Sequence, residues 1–258
     1  ALLALVADQA KRGDFAAMLA DIDGGRKISL LLDILSRAWA EAGSGRMSEA
    51  IATFDELART RGLEAFGLYH KALALAMVGD LEGADEILSG RAAGEIRLMR
   101  RGVIAHAEIL SQLERPQDAI AVLDKNFPGT DDPAVLGIKA RLAAGEVLDW
   151  TAARTATDGM AEVFFTLAAA LNGEAEDGYT LIYARLAGYL RPDHTEAVLL
   201  AAALLEQQRQ YALSVETYAA LPPSDPAHFA AQIGRARALQ ASGETDAAVD
   251  VLRDLAQL

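Results

Sequence analysis

Between Gly45 and Arg59 the chain reads GRMSEAIATFDELAR, and its apolar residues Ala50, Phe54 and Leu57 fall at the spacing of one helix face. Charged and polar residues take the other positions. An alanine holds the centre of the apolar face, where a bulky residue would be ordinary, and the arrangement returns. GDLEGADEIL places Ala84 in that slot and ERPQDAIAVL places Ala119, giving spacings of 34 and 35 residues. Further on, Thr180, Ser214 and Ala248 occupy it at intervals of 34, and Pro192 and Pro226 keep the same interval.

A recurring unit of this length is a helix pair. Its first helix ends in a turn, often at glycine (Gly43, Gly79, Gly145, Gly243), which takes a positive φ without steric cost. The second helix packs back, its small residue allowing close approach and an aromatic or leucine one turn later filling the space beside it. Proline near the end of a unit stops the second helix. One pair cannot bury its apolar face alone, so neighbouring pairs must stack. Alanine and leucine dominate, alternating strand patterns are scarce, and an all-α chain is predicted.

These residues resemble the tetratricopeptide repeat family over nearly the whole chain. The family's small first-helix residue matches Ala72, Ala107, Ala168, Ala202 and Ala236, and the bulky residue three further on matches Trp39, Leu75, Leu110, Leu171, Leu205 and Leu239. Its second-helix aromatic or leucine matches Phe54, Leu88, Leu123, Tyr218 and Leu252. The chain looks like the multi-repeat arrays of bacterial proteins. The resemblance implies a right-handed α-α superhelix, a solenoid of about seven helix pairs. It is read as repeats over 1–132, a degenerate repeat or connector over 133–160, and repeats over 161–258.

Departures from the repeat are local. Ser44 and Gly45 are two extra residues in the first full turn, and Met18 takes the small position of a partial unit at the front. Between Ala119 and Thr180 the gap is 61 residues, seven short of two units. There DDPAVLGIKARLAAG reads as a clean first helix, with Asp132 capping and Pro133 in its first turn. EVLDWTAARTATDGM carries no second-helix pattern, so residues 146–159 are read as an irregular substitute.

The 258 residues suffice for one large domain or two medium ones. A net charge of −13 leaves no broad basic stripe for nucleic acid or anionic lipid, so neither partner is expected. No apolar run approaches a membrane span, and no membrane insertion is expected. The absence of cysteine removes disulfides, thiolate nucleophiles and cysteine metal sites, and leaves a periplasmic or a cytoplasmic location open. The chain begins at Ala1 and an apolar stripe runs to Leu258, so a trimmed or processed piece of a longer array is expected, with end-to-end self-association through the bare C-terminal face.

No catalytic constellation, metal set or cofactor loop is recognisable. His70, His106, His194 and His228 lack metal-ligand pairing and read as structural. GSG at 43–45 lacks the lysine and strand of a phosphate loop. Asp131–Asp132 and Glu174–Glu176–Asp177 lie in predicted turns and read as solvated. RLMRR, with Arg97, Arg100 and Arg101, is the one basic cluster, a solvated helix face or a holder of carboxylates.

The family resemblance implies a concave face lined by first helices. It carries over to Leu30, Asp33 and Arg37, then Phe66, Tyr69 and Leu73, then Arg101, Ile104 and Glu108, and further along to Glu162, Phe165, Glu196 and Leu199. The family's lysine–asparagine clamp is missing, because Asp33, Tyr69 and Ile104 stand there, which argues against chaperone binding. The candidate groove is Arg37, Phe66, Tyr69, Arg101, Ile104 and Glu108. It suits an extended or helical peptide with an apolar anchor and acidic character. In the alternative reading Phe66 and Tyr69 pack between adjacent units. The expected function is a non-catalytic protein-interaction scaffold, and the rival is a structural spacer within a larger assembly or enzyme.

Overall fold

The computed structural model describes residues 1–257, and over these the chain is all-α, with fifteen helices and no strand. Leu258, where the predicted C-terminal stripe ends, lies outside the described residues. Two compact units form, Ala1–Val163 and Phe164–Leu258.

The first unit holds α1 (Leu2–Lys11), α2 (Phe15–Asp23), α3 (Leu30–Gly43), α4 (Met47–Ala58) and α5 (Glu64–Met77). It continues with α6 (Leu81–Leu88), α7 (Arg100–Gln112), α8 (Pro116–Asn126) and α9 (Pro133–Ala143). The division falls inside α10 (Ala156–Leu171). The second unit adds α11 (Asp177–Leu190), α12 (Thr195–Gln207), α13 (Tyr211–Ala219), α14 (His228–Ser242) and α15 (Thr245–Leu255). From α1 to α9, and again from α11 to α15, each helix packs on the next in the chain. No helix among the described residues is long and apolar enough to cross a membrane.

The small-residue register is buried throughout. Ala50, Ala84, Ala119, Thr180, Ser214 and Ala248 are buried on second helices, and Ala72, Ala107, Ala168, Ala202 and Ala236 on first helices. The pair α12–α13 shows why the slot must be small: the Ser214 hydroxyl donates to the carbonyl of Ala202 at 2.9 Å, so the two small positions face each other. Phe54 and Leu123 are fully buried one turn beyond theirs, and each such side chain contributes about 1.5–3 kcal/mol.

Caps fix several boundaries. Asp14, Ser29, Asp80 and Asp132 accept backbone N–H groups at the starts of α2, α3, α6 and α9, each contributing about 0.5–2 kcal/mol. Pro133 is the first residue of α9. One turn differs from the reading above. Gly43 is the last residue of α3, and Gly45 takes the left-handed conformation at φ 76°. Gly43 answers a packing need instead, since a Cβ there would stand 2.4 Å from the Phe15 ring.

Residues 146–155 carry no helix. Val249 and Leu252 of α15 are exposed.

Candidate functional site

Within the first unit, three of the expected groove residues, Tyr69, Arg101 and Glu108, meet the chain's own residues 148–162. α7 presents a line of polar side chains, and an extended stretch from Leu148 to Ala152 hydrogen-bonds along it. Gln112 Nε2 donates to the Leu148 carbonyl at 2.6 Å, and Ser111 Oγ accepts the Leu148 N–H at 2.9 Å. The Glu108 carboxylate accepts the Thr151 N–H at 2.9 Å and its hydroxyl at 2.6 Å. Arg101 donates to the Ala152 carbonyl at 3.2 Å. The contacts progress from the C-terminal to the N-terminal end of α7, so the stretch runs antiparallel to it. Leu148 is buried with Leu110, Leu123 and Leu142. Hydrogen bonds to charged groups contribute about 1.5–3 kcal/mol and neutral ones about 0.5–1.5, so these five contacts together outweigh the burial of a single leucine.

The stretch leads into α10, whose first turns complete a buried polar hub. Glu162 is fully buried, and its carboxylate accepts from Arg101 Nε at 2.5 Å and from the Tyr69 hydroxyl at 3.3 Å. The Tyr69 ring meets the His70 ring edge-on at a centroid distance of 5.3 Å. His70 Nδ1 accepts the indole N–H of Trp39 at 3.2 Å, which places the remaining proton of the neutral ring on Nε2. Complete burial lowers the His70 pKa to about 4, against an opposing attraction from Glu162. Gly159 completes the closure, because a Cβ there would lie 2.3 Å from the Trp39 ring. A charge as deeply desolvated as Glu162 is tolerable only with such partners.

Of the six groove candidates, Tyr69, Arg101 and Glu108 are therefore engaged by residues 151–162. Phe66 and Ile104 are partly buried. Arg37 stands apart, paired with Asp23 at 2.6 Å and 3.9 Å from Glu41. Further along, the Phe165 ring meets the His194 ring at a tilt of 47° and a centroid distance of 4.6 Å, Glu196 lies 3.8 Å from the same ring, and Leu199 packs on the Tyr218 core. The basic cluster divides: Arg100 donates twice to Asp132 and Arg101 holds Glu162, while Arg97 is exposed.

Beside Arg37, an open cleft of about 530 Å³ lies between α2 and α3 and the turn joining them. Ile22, Ile28, Leu30 and Ile34 form its apolar wall, and Arg26, Lys27 and Arg37 its cations. Its acceptors each have an internal partner. Asp33 takes the Ile28 N–H on both oxygens, at 3.2 and 3.0 Å, and Ser29 caps α3. Arg26 is buried against Asp21 and Gln9. Lys27 is exposed with no ion-pair partner among the described residues, and Arg37 retains N–H groups beyond its bond to Asp23. What the cleft offers a ligand is thus aliphatic surface edged by donors. Sequence reasoning found Leu30, Asp33 and Arg37 by register; Ile22, Arg26, Lys27 and Ile28 carry no register, because they lie in a turn and on its approach.

No protein-family model matches this chain, and a search of curated proteins returns no match. Among the described residues, no group of three or more histidine or carboxylate side chains converges as a metal site would require.

Proposed function

We propose that this protein is a non-catalytic interaction scaffold of the tetratricopeptide kind, its helix pairs stacked as a right-handed solenoid of about seven pairs. The α2–α3 cleft receives a polypeptide partner that brings an aliphatic side chain next to a carboxylate. Support for the architecture comes from the buried small-residue register and the Ser214–Ala202 contact. The single observation behind the ligand chemistry is that Lys27 and part of Arg37 stand without internal partners among the described residues beside an aliphatic wall, whereas Asp33 and Ser29 each accept an internal N–H. The chain is acidic overall, at −13, yet distant charges are screened beyond about 8–10 Å at physiological salt, so the local cations decide binding.

Fluorescence polarisation tests this with a labelled peptide of alternating leucine and glutamate and a control with glutamine for glutamate. The acidic peptide is expected to bind, and the Lys27→Ala/Arg37→Ala variant to weaken it about tenfold or more. Equal binding of both peptides, or no change in the variant, would remove the cleft as the site. Failure of any peptide to bind would favour the second reading, a structural spacer. That reading draws on the groove's middle stretch, where Glu108, Arg101 and Tyr69 serve the chain's own fold.

A further inference from the structure

α6 stops at Leu88 after 8 residues, whereas its counterparts α4 and α8 run for 12 and 11. Residues 89–99 replace the missing turn without forming a helix, and a cleft of about 620 Å³ is left between α6, α7 and α8. That volume lies within the range of small-molecule sites, about 300–1,000 Å³. Leu88, Ile96, Leu98 and Val122 give it an aliphatic lining.

Most of its polar groups have partners. Ser89 donates to the Glu86 carbonyl, Asn126 to the Val122 carbonyl, and Lys125 meets Glu95 at 3.2 Å. Two groups remain. Arg97 has no hydrogen bond or ion pair among the described residues, unlike Arg100 and Arg101, its neighbours in the basic cluster. His106 is the other. Its Nε2 lies 2.7 Å from Asp85 Oδ1, and Asp85 Oδ2 accepts from Arg91 at 2.7 Å and from Arg115 at 2.6 Å. A carboxylate held by two guanidinium groups is ionised, so Nε2 must keep its proton, and Nδ1 is left as an acceptor on a ring that lines the cleft. Burial also lowers the His106 pKa, against the pull of Asp85, which keeps the ring neutral near pH 7.

We propose that this cleft binds an aliphatic carboxylate bearing an N–H or O–H donor close to its acid group. The acid faces Arg97, the aliphatic part meets Leu88, Ile96, Leu98 and Val122, and the donor bonds to His106 Nδ1. A peptide C-terminus ending in leucine and a free acylamino or hydroxy acid share this chemistry. The site shares no residue with the α2–α3 cleft, so the two readings stand or fall separately.

Calorimetry on the whole chain would use N-acetyl-leucine and acetyl-Ala-Ala-Leu, each beside its C-terminal amide, with nitrogen NMR of the histidine rings in parallel. Both acids are expected to bind, the amides at least tenfold more weakly, and Arg97→Ala to weaken the acids by a similar factor. The His106 Nδ1 resonance should move on binding. Tighter binding of the tripeptide would assign a peptide end as the ligand, and equal binding a small acid. No binding of either acid, equal binding of an amide, an unaffected Arg97→Ala variant or an unmoved His106 resonance would each overturn the proposal.

Discussion

His70 makes the stability of this protein depend on pH over a defined window. Its ring is completely buried, and the folded-state pKa is about 4 against an ordinary 6.5. The unfolded chain therefore takes up a proton as pH falls below 6.5, while the folded chain does not until about pH 4. More protons bound in the unfolded state means stability lost on acidification. The contribution is complete above pH 6.5, falls by about 2 kcal/mol at pH 5, and is down by about 3 kcal/mol at pH 4. A specific contact breaks at the end of the window, since protonated Nδ1 cannot accept the Trp39 N–H. Carboxylates also destabilise in acid: Asp132, although burial pushes it up, is held below its usual range by Arg100 and by backbone N–H groups. Wild type must therefore be compared with His70→Asn, whose amide oxygen takes the place of Nδ1 as acceptor for Trp39 but does not titrate. Urea unfolding followed by tryptophan fluorescence from pH 7.5 to 4.5 gives both curves. The gap between them should close by about 2 kcal/mol between pH 7 and pH 5. Parallel curves would refute the reasoning, because they would mean that His70 is hydrated or already charged.

The hub and the glycines give two sharper tests of packing. Arg101→Ala leaves Glu162 buried without its cation and should cost about 3–5 kcal/mol in urea unfolding. Glu162→Gln removes the charge and keeps an acceptor, so it should cost less; a loss below about 1 kcal/mol for Arg101→Ala would show that water reaches the hub. Gly159→Ala pushes a methyl group to within 2.3 Å of the fully buried Trp39 ring and should destabilise by about 1–3 kcal/mol or more. Gly137→Ala, in α9 with nothing within 4 Å, should stabilise by about 0.5–1 kcal/mol, and thermal melts of the two variants should move in opposite directions.

Helical class and register were legible because they rest on local periodicity. Ala50, Ala84 and Ala119 repeat at an interval that one helix pair imposes, and their burial follows from that interval alone. Asp132–Pro133 was legible for the same reason, since capping and fixed φ act within three residues. The fate of Tyr69, Arg101 and Glu108 was not. Register places them on first helices, but whether a groove is open depends on what the chain does 43 to 93 residues later, at Thr151 and Glu162. Glu162 illustrates the difficulty: its spacing suggests a solvated groove position, yet it is fully buried because Arg101 and Tyr69 converge on it. Arg97, Arg100 and Arg101 are alike as a tripartite cluster in sequence and unlike in fate, because only Asp132 and Glu162 come within reach.

The regular and irregular parts of the chain divide the chemistry between them. Where the repeat is kept, backbone groups are bonded along helices and small apolar residues close the gaps, so little is left to bind anything. Where it breaks, side chains must satisfy backbone that no helix serves. Between residues 146 and 155 they succeed, and α7 treats its own chain as an extended peptide, down to a bidentate grip on Thr151. At the α2–α3 turn and beyond the shortened α6 they do so only in part. At the α2–α3 turn Asp33 accepts a nearby N–H, and in each place a cation, Lys27 or Arg97, is left over beside an aliphatic wall. Among the described residues both clefts leave a cation unpaired, although they arise at unrelated breaks and only the α2–α3 turn caps its next helix with a side chain, since Met99 before α7 supplies none. At the α2–α3 turn Ser29 caps α3 and Asp33 accepts the N–H of Ile28 just before it, while Lys27 meets no internal acceptor among the described residues. In a chain of net charge −13, such positions are where an acidic group can approach without meeting its own sign first.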